Sequence, residues 1–174
     1  MLLPEPPEGG KMELVRGEVV CMAPVGGEHG KRALRLGARI LAFAGEHQLG
    51  EAGAEIGYRL RKDPDVVRAP DVSFLAASRL KDGRFPQGYV DGPPTLAVEV
   101  VSPGDRDGDV STKVEDYLAA GTARVWVVRP EQRTITVYRS NGDAHIFREG
   151  ETLGSDDAAF EVDGFALDVR DVFA

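Results

Sequence analysis

The spacing of hydrophobic and polar residues changes several times along the chain, and each spacing predicts a different element. Residues 13–22 alternate around Arg16-Gly17, which indicates a tight β-hairpin. From residue 29 to residue 47 the spacing becomes helical. The apolar line of this helix consists of Leu34, Ala38, Leu41 and Gly45, with Leu36, Ile40 and Phe43 beside it. Because only a narrow arc is polar, we expect this helix to be packed on most sides.

Strands dominate the rest of the chain. The run at 95–101 is apolar apart from Glu99 and predicts a central, buried strand. A second helix is predicted over 109–120 and ends at Gly121. Further strands are predicted at 52–60, 71–76, 124–128 and 134–138, with shorter β-pieces towards the C-terminus. The order ββ-α-βββ-α-ββ predicts a single α/β (α+β) domain over residues 1–174, in which helices flank a mixed β-sheet.

The length of 174 residues suits one domain with a real hydrophobic core, because a chain of this size buries ~70% of its surface on folding. Cys21 is the only cysteine, so the chain has no disulfide framework, which favours a reducing compartment. The sequence has no signal-peptide pattern and no apolar run of ~18 residues. We therefore expect a cytoplasmic protein that does not span a membrane.

The net charge of −8, from 29 acidic and 21 basic residues, argues against binding nucleic acid by bulk attraction. The distribution of the charge weakens that argument. Residues 149–174 hold eight carboxylates and one cation, Arg170, whereas residues 1–148 hold 21 acidic and 20 basic residues. A polyanionic partner would therefore meet an almost neutral body and would need local basic groups.

Two carboxylates lie in strand-like surroundings. Glu99 stands inside an apolar strand, and Asp71 follows a proline at the start of another. A buried carboxylate needs an ion pair, hydrogen bonds or a metal. Glu99 is therefore either paired with an arginine such as Arg68 or Arg124, or placed at a strand end in water, or bound to a cation shared with Asp71. Mg²⁺ accepts such oxygen ligands together with a backbone carbonyl and several waters.

Several short motifs follow one another in an order that resembles a known group of proteins. Pro70-Asp71, followed by Glu99-Val100-Val101-Ser102 and a later lysine, resembles the PD-(D/E)xK nuclease superfamily. The segments ELVRGEVV, GGEHG, RAPDVSF, LAVEVVSP, KVEDYLAAG and VWVVRP resemble more closely a widespread bacterial family of restriction endonucleases, formerly a domain of unknown function. The resemblance spans residues 12–173. It implies a restriction-endonuclease-like core with an extra N-terminal hairpin and extra C-terminal strands.

The resemblance also implies metal-dependent hydrolysis of phosphodiester bonds. Asp71, Glu99 and the backbone carbonyl of Val100 would bind Mg²⁺, and Mn²⁺ is expected to substitute for it. The superfamily pattern has its catalytic lysine two residues beyond the glutamate, where this chain has Val101. Lys113, in the following helix, is the nearest replacement and matches the closer family. The alternative is that Lys113 is a solvated helix residue.

Other positions are predicted around this centre. Glu28 is either a third metal contact or a carboxylate that favours a helix N-terminus, and His29 is expected to cap or pack. Four cations near Asp71 are predicted to hold the DNA backbone or, alternatively, to be ordinary strand-edge charges. These cations are Arg59, Arg61, Lys62 and Arg68.

The leading hypothesis is a Mg²⁺-dependent endonuclease that acts on DNA. The alternative is a catalytically inactive nuclease-fold module that works through binding and oligomerisation, which the missing strand lysine favours. In either case a homodimer or higher homo-oligomer is expected, because small residues on the first helix permit close packing on a sheet or on a second subunit. These residues are Ala33, Gly37, Ala38, Ala44 and Gly45.

Overall fold

Thirteen strands and three helices build residues 11–174, the part of the chain that the computed structural model describes. The helices are α1 (Gly27–Glu46), α2 (Asp107–Ala120) and α3 (Val169–Phe173). The first seven strands are β1 (Lys11–Val15), β2 (Glu18–Met22), β3 (Gly50–Gly53), β4 (Tyr58–Arg61), β5 (Val66–Arg68), β6 (Val72–Ala76) and β7 (Val90–Asp91). The remaining strands are β8 (Leu96–Val100), β9 (Arg124–Arg129), β10 (Thr134–Arg139), β11 (Ala144–Arg148), β12 (Thr152–Gly154) and β13 (Ala166–Asp168).

A six-stranded mixed sheet with the order β11-β10-β9-β8-β6-β3 forms the centre of the fold. β8 lies between β9, with which it is parallel, and β6, with which it is antiparallel. All five residues of β8 are buried. This confirms the predicted central strand, whose apolar character follows from burial on both faces of the sheet.

Helices cover the two faces of this sheet. Val98 and Val100 of β8 pack in the same hydrophobic cluster as Leu36 and Ile40 of α1. The alternate residue Ala97 packs instead with the buried side of α2. Since successive strand residues point to opposite faces, Glu99 lies on the face that α2 covers. The mixed α+β fold class agrees with the prediction.

The two long helices were predicted in outline. α2 ends where Gly121 adopts the left-handed conformation with φ 102°, so the predicted C-cap is confirmed. The expectation that α1 is packed on most sides is wrong. Leu36, Ile40 and Ala44 are its buried residues, whereas Leu34 is 74% exposed. The reason is that α1 covers the outside of one sheet, and no other described element lies over its outer face.

The predicted hairpin is present as β1 and β2, but it belongs to a second sheet with the order β2-β1-β5-β4-β7. The single strand predicted at 52–60 is wrong, because the chain forms β3 in the central sheet and then crosses to form β4 in the second sheet. Tyr58 of β4 is fully buried, and its hydroxyl donates a hydrogen bond to Ser73 Oγ of β6 at 2.9 Å. That bond joins the two sheets.

The C-terminal region packs against the end of α1 and the central sheet. Phe160 and Phe165 make edge contacts with each other and lie against Phe43. Trp126 of β9 donates its indole N–H to the carbonyl of Asp157 at 2.7 Å. The acidic C-terminal part is therefore structural. Among the helices of residues 11–174, none combines the length and hydropathy that a membrane crossing requires.

Candidate functional site

Asp71 immediately precedes β6, and Glu99 lies in β8, the strand that pairs with β6 in the central sheet. Val72 of β6 lies opposite Val98 of β8, and continuing this register by one residue sets Asp71 opposite Glu99. Opposite residues of an antiparallel pair point to the same face, with Cβ atoms ~4.5–5.5 Å apart. Asp71 is 7% exposed and Glu99 is 5% exposed. Two nearly buried carboxylates are therefore expected to lie close together, one just before β6 and one near the end of β8.

Asp71 is held by three groups. Its Oδ2 accepts a hydrogen bond from the backbone N–H of Val100 at 2.7 Å and lies 3.2 Å from His29 Nε2. Lys11 Nζ lies 3.4 Å from Oδ1. Burial by itself raises the pKa of Asp71, but the contact with His29 and the charge of Lys11 outweigh it, so the pKa lies below its ordinary value. The carboxyl group is therefore ionised at neutral pH.

Glu99 accepts hydrogen bonds from two residues that are one turn apart on α2. Lys113 Nζ donates to Oε2 at 2.9 Å, and the Tyr117 hydroxyl donates to Oε1 at 2.8 Å. Residues at i and i+4 share one side of a helix, which explains how both reach the same carboxylate. Burial raises the pKa of Glu99 and is partly opposed by the charge of Lys113. Burial lowers the pKa of Lys113, but the charges of Glu99 and Glu13 outweigh it and raise the pKa overall.

A second cluster of charges lies directly beside Glu99. Glu13 of β1 is 1% exposed, and its Oε2 accepts a hydrogen bond from Arg68 Nη1 at 2.7 Å. Its Oε1 accepts from the backbone N–H of Ala69 at 3.2 Å and lies 3.7 Å from Lys113 Nζ. Arg68 also donates to Asp116 Oδ2 through Nε at 2.9 Å and Nη2 at 2.6 Å. Strand β1, strand β5 and helix α2 are thereby joined at one edge of the site.

The start of α1 contributes His29 to the site. His29 Nε2 lies 2.7 Å from the carbonyl oxygen of Val100, the predicted metal ligand. Its Nδ1 is buried and finds no hydrogen-bond partner among residues 11–174. Glu28 lies elsewhere, since its side chain is 68% exposed and pairs with Arg32 of its own helix at 3.2 Å. Of these two neighbours, His29 contacts the carboxylate cluster and Glu28 faces solvent.

The four predicted DNA-binding cations separate into two groups. Arg59, Arg61 and Lys62 lie at the end of β4, where Arg61 and Lys62 are exposed and Arg59 Nε donates to Asp91 Oδ1 at 2.7 Å. Arg68 is only 5% exposed. Because all three nitrogens of its guanidinium are bonded to Glu13 and Asp116, we expect Arg68 to organise the cluster rather than to contact a phosphate.

A metal at this centre would depend on few protein ligands. Within residues 11–174, no group of three or more His, Cys, Asp or Glu side chains is arranged to hold a metal ion. Three oxygen donors are nevertheless present here: the carboxylates of Asp71, just before β6, and Glu99, in β8, and the carbonyl group of Val100. Mg²⁺ keeps several waters and is commonly held by one or two carboxylates, so this donor set fits it. A cavity of about 300 Å³ reaches Glu99 and Lys113 from the surface.

Glu13, Tyr117 and Asp116 are site residues that the sequence pattern did not reveal. Glu13 gave no signal of its own, because it occupies a polar position of an alternating hairpin, where a charge is ordinary. Tyr117 lies on the buried side of α2 with Val110 and Val114, where an aromatic residue is typical of a hydrophobic core. Its spacing of four residues from Lys113 was the available signal, since that spacing directs both side chains to the same neighbour.

The mixed α+β fold described above is shared with a protein of known structure. The solved structure of a putative nuclease belonging to DUF820 from Anabaena variabilis superposes on this chain with a TM-score of 0.82. The match covers 98% of this chain and 93% of that chain at 22% sequence identity. At that identity the likeness shows the common fold alone.

Sequence comparison identifies the family. Residues 2–170 match the Uma2 family, which is described as "Putative restriction endonuclease", and the chain belongs to that family. This confirms the resemblance found in the sequence motifs and supports a nuclease. No curated protein matches the chain.

Proposed function

We propose that this chain is a cytoplasmic, Mg²⁺-dependent endonuclease that hydrolyses phosphodiester bonds of DNA, with Mn²⁺ able to substitute. The observation that carries the proposal is one cluster at the end of β8, where Asp71 Oδ2 accepts from the Val100 N–H at 2.7 Å and Glu99 Oε2 lies 2.9 Å from Lys113 Nζ. Two carboxylates and a lysine in one buried cluster suit the hydrolysis of a phosphodiester. Family membership supports the same class of reaction.

Each residue has a distinct part in the proposed reaction. Asp71, Glu99 and the carbonyl of Val100 would hold the ion, which supplies polarisation of the phosphoryl oxygen and activation of water when bound. Lys113 orients the attacking water from the side of Glu99. Tyr117 is a positioning residue, because its hydrogen bond fixes the second carboxylate oxygen of Glu99. Arg59, Arg61 and Lys62 hold the DNA backbone from the end of β4.

The direct test is cleavage of plasmid and oligonucleotide DNA with Mg²⁺ or Mn²⁺. We expect Asp71→Asn and Glu99→Gln to abolish cleavage and to weaken metal binding measured by calorimetry. Lys113→Met should slow turnover by about 10²-fold or more while metal binding persists. Glu115→Gln is the matched control, because Glu115 is an exposed carboxylate on the same helix. Cleavage at the wild-type rate by the Asp71 and Glu99 variants would refute the proposal.

A second function is favoured by one observation, namely that protein groups already satisfy Glu99 through Lys113 and Tyr117. Such a cluster suits a nuclease-fold module that no longer cleaves and acts as a homo-oligomer. Mn²⁺ separates the two functions, since an ion at 100 times its Kd stabilises the folded state by about 2.7 kcal/mol. At about 2–4 °C per kcal/mol, this raises Tm by about 5–11 °C. An unchanged Tm and no cleavage would favour the binding module.

A further inference from the structure

The inner face of the hairpin closes a cavity over the carboxylate cluster. In the register of β1 and β2, Glu13 lies opposite Val20 and Lys11 lies opposite Met22. Directly opposite residues share one face, so these side chains point together towards the site. The hairpin, the end of β8 and the first half of α2 line the cavity, which has a volume of about 300 Å³.

The burial of the lining residues shows which end of the cavity is deep. Glu13 and Glu99 are buried at its floor, whereas Val20, Asp105 and Asp109 are exposed and mark its mouth. Arg68 and Lys113 line the cavity beside these two floor carboxylates. The walls between floor and mouth are mainly aliphatic and consist of Val15, Met22, Val100, Val101, Val110 and Thr112. A ligand that enters therefore passes two carboxylates, contacts apolar walls and arrives beside Glu99.

The charges at the mouth of the cavity disfavour the phosphates of a nucleic acid and suit its bases. The carboxylates of Asp105 and Asp109 repel phosphate. The DNA backbone is therefore expected to approach the centre from the side of Asp71, where Lys11 Nζ lies 3.4 Å from Oδ1, rather than through this mouth. Carboxylates suit the exocyclic amino groups of nucleobases as hydrogen-bond acceptors, and aliphatic walls suit the flat faces of the rings. Asp105 Oδ2 already accepts from the Ser102 N–H at 2.7 Å, which orients that carboxylate. The volume lies at the lower limit of ~300–1,000 Å³ for ligand pockets, which suits a single ring system.

We propose that this cavity binds a nucleobase turned out of its stack beside the phosphate at the Asp71 and Glu99 centre. The identity of the ligand as a nucleic-acid base rests on the proposed nuclease function. Turning a base out of an intact duplex costs a few kcal/mol and costs least where the base is unpaired or mismatched. The substrate class is therefore single-stranded DNA, or a duplex that is mismatched or damaged near the cleaved bond.

Two neighbouring valines provide a matched pair of variants. Val20 and Val19 are consecutive residues of β2 with exposures of 41% and 45%. Successive strand residues point to opposite faces, and of these two only Val20 lines the cavity. Val20→Phe fills the mouth, whereas Val19→Phe adds the same ring to the opposite face of the hairpin. A difference between the two variants therefore reports the cavity rather than the added ring.

The measurement is binding of a single-stranded oligonucleotide that contains 2-aminopurine, whose fluorescence rises when it leaves the base stack. EDTA keeps the DNA intact, so binding is observed without cleavage. We expect a rise with the wild type and with Val19→Phe. Val20→Phe should bind the base at least ~10-fold more weakly, or about 1.4 kcal/mol. An equal rise with both variants would overturn the proposed location.

Cleavage of the same oligonucleotide with Mn²⁺ separates this inference from the nuclease function. Cleavage without any rise in fluorescence would overturn the nucleobase site and leave the nuclease standing. A rise that depends on Val20, without cleavage, would support the site and overturn the nuclease. If Val20→Phe does not fold, competition on the wild type decides: displacement by deoxyadenosine supports the proposal, and displacement by deoxyribose 5-phosphate alone contradicts it.

Discussion

Replacement of Arg68 by methionine tests the charge cluster that lies behind the site. Arg68→Met keeps much of the length of the side chain and removes the guanidinium that joins Glu13 to Asp116. Glu13 would then remain a carboxylate that is 1% exposed. Its remaining partners are the Ala69 N–H at 3.2 Å and Lys113 at 3.7 Å. The variant therefore leaves a buried charge with weaker compensation, and Asp116, which is less buried, is rehydrated.

The size of the effect follows from the burial of both partners. Removal of one partner from a buried ion pair costs about 3–5 kcal/mol, since the other charge stays desolvated. Because Glu13 keeps two partners, we expect Arg68→Met to lower the free energy of unfolding by about 3 kcal/mol, near the lower end of that range. For a domain of this size that loss lowers Tm by about 6–12 °C. Single domains have total stabilities of about 5–15 kcal/mol, so the variant still folds at 25 °C.

Urea unfolding monitored by the fluorescence of Trp126 gives the free energy of unfolding. Arg61→Met is the matched control, because Arg61 is exposed on the neighbouring strand β4 and should change stability by no more than about 0.5 kcal/mol. The double variant Arg68→Met with Glu13→Gln should regain part of the lost stability, because the unpaired charge is gone. Wild-type stability of Arg68→Met together with weakened DNA binding would refute this reasoning and favour a phosphate contact for Arg68.

Three further predictions concern packing, backbone and charge. Leu36→Ala should lower the free energy of unfolding by about 2–5 kcal/mol in urea titrations, whereas Leu34→Ala, on the exposed side of α1, should change it by no more than about 0.5 kcal/mol. Gly121→Ala should cost about 1–2 kcal/mol through the left-handed backbone alone, since the nearest atom to the new Cβ is 3.9 Å away. Burial raises the pKa of Asp156, but the hydrogen bond from Arg124 outweighs it and the pKa lies below its ordinary value of 3.8. The stability from this pair is present above that value and is lost as pH falls through the lowered pKa, so Tm of Asp156→Asn should fall less steeply below about pH 4.

Local patterns were sufficient to predict most elements and their order. The hairpin, both long helices and the buried strand with Glu99 each have a period or a turn signal inside one short segment. The strand at 52–60 was wrong because the chain changes sheets within it, and three-residue β5 is too short to show a period. The outer face of α1 looked like a packed surface, since Leu34 and Leu41 fall at helical spacing, yet spacing does not show whether a second layer lies above them.

The sequence by itself determined that Glu99 needs a partner, because a carboxylate inside an apolar strand carries a large desolvation cost wherever the strand lies. It did not determine which partner. Arg68 and Arg124 were equally available candidates, yet Arg68 binds Glu13 and Asp116, and Arg124 binds Asp156. Lys113 and Tyr117 reach Glu99 because α2 packs on that face of β8.

Only the tertiary structure decided the composition of the site. Its residues come from β1, α1, the start of β6, β8 and α2, and no periodicity records which of these elements become neighbours. The pairing of β6 with β8 brings Asp71 into hydrogen-bond contact with Val100, next to Glu99, and the hairpin brings Glu13 close to Lys113 and Arg68. The local pattern of apolar residues determines which segments form helices and strands. The pairing of charges depends on distances of a few ångströms between remote segments, which exist only once those elements have packed.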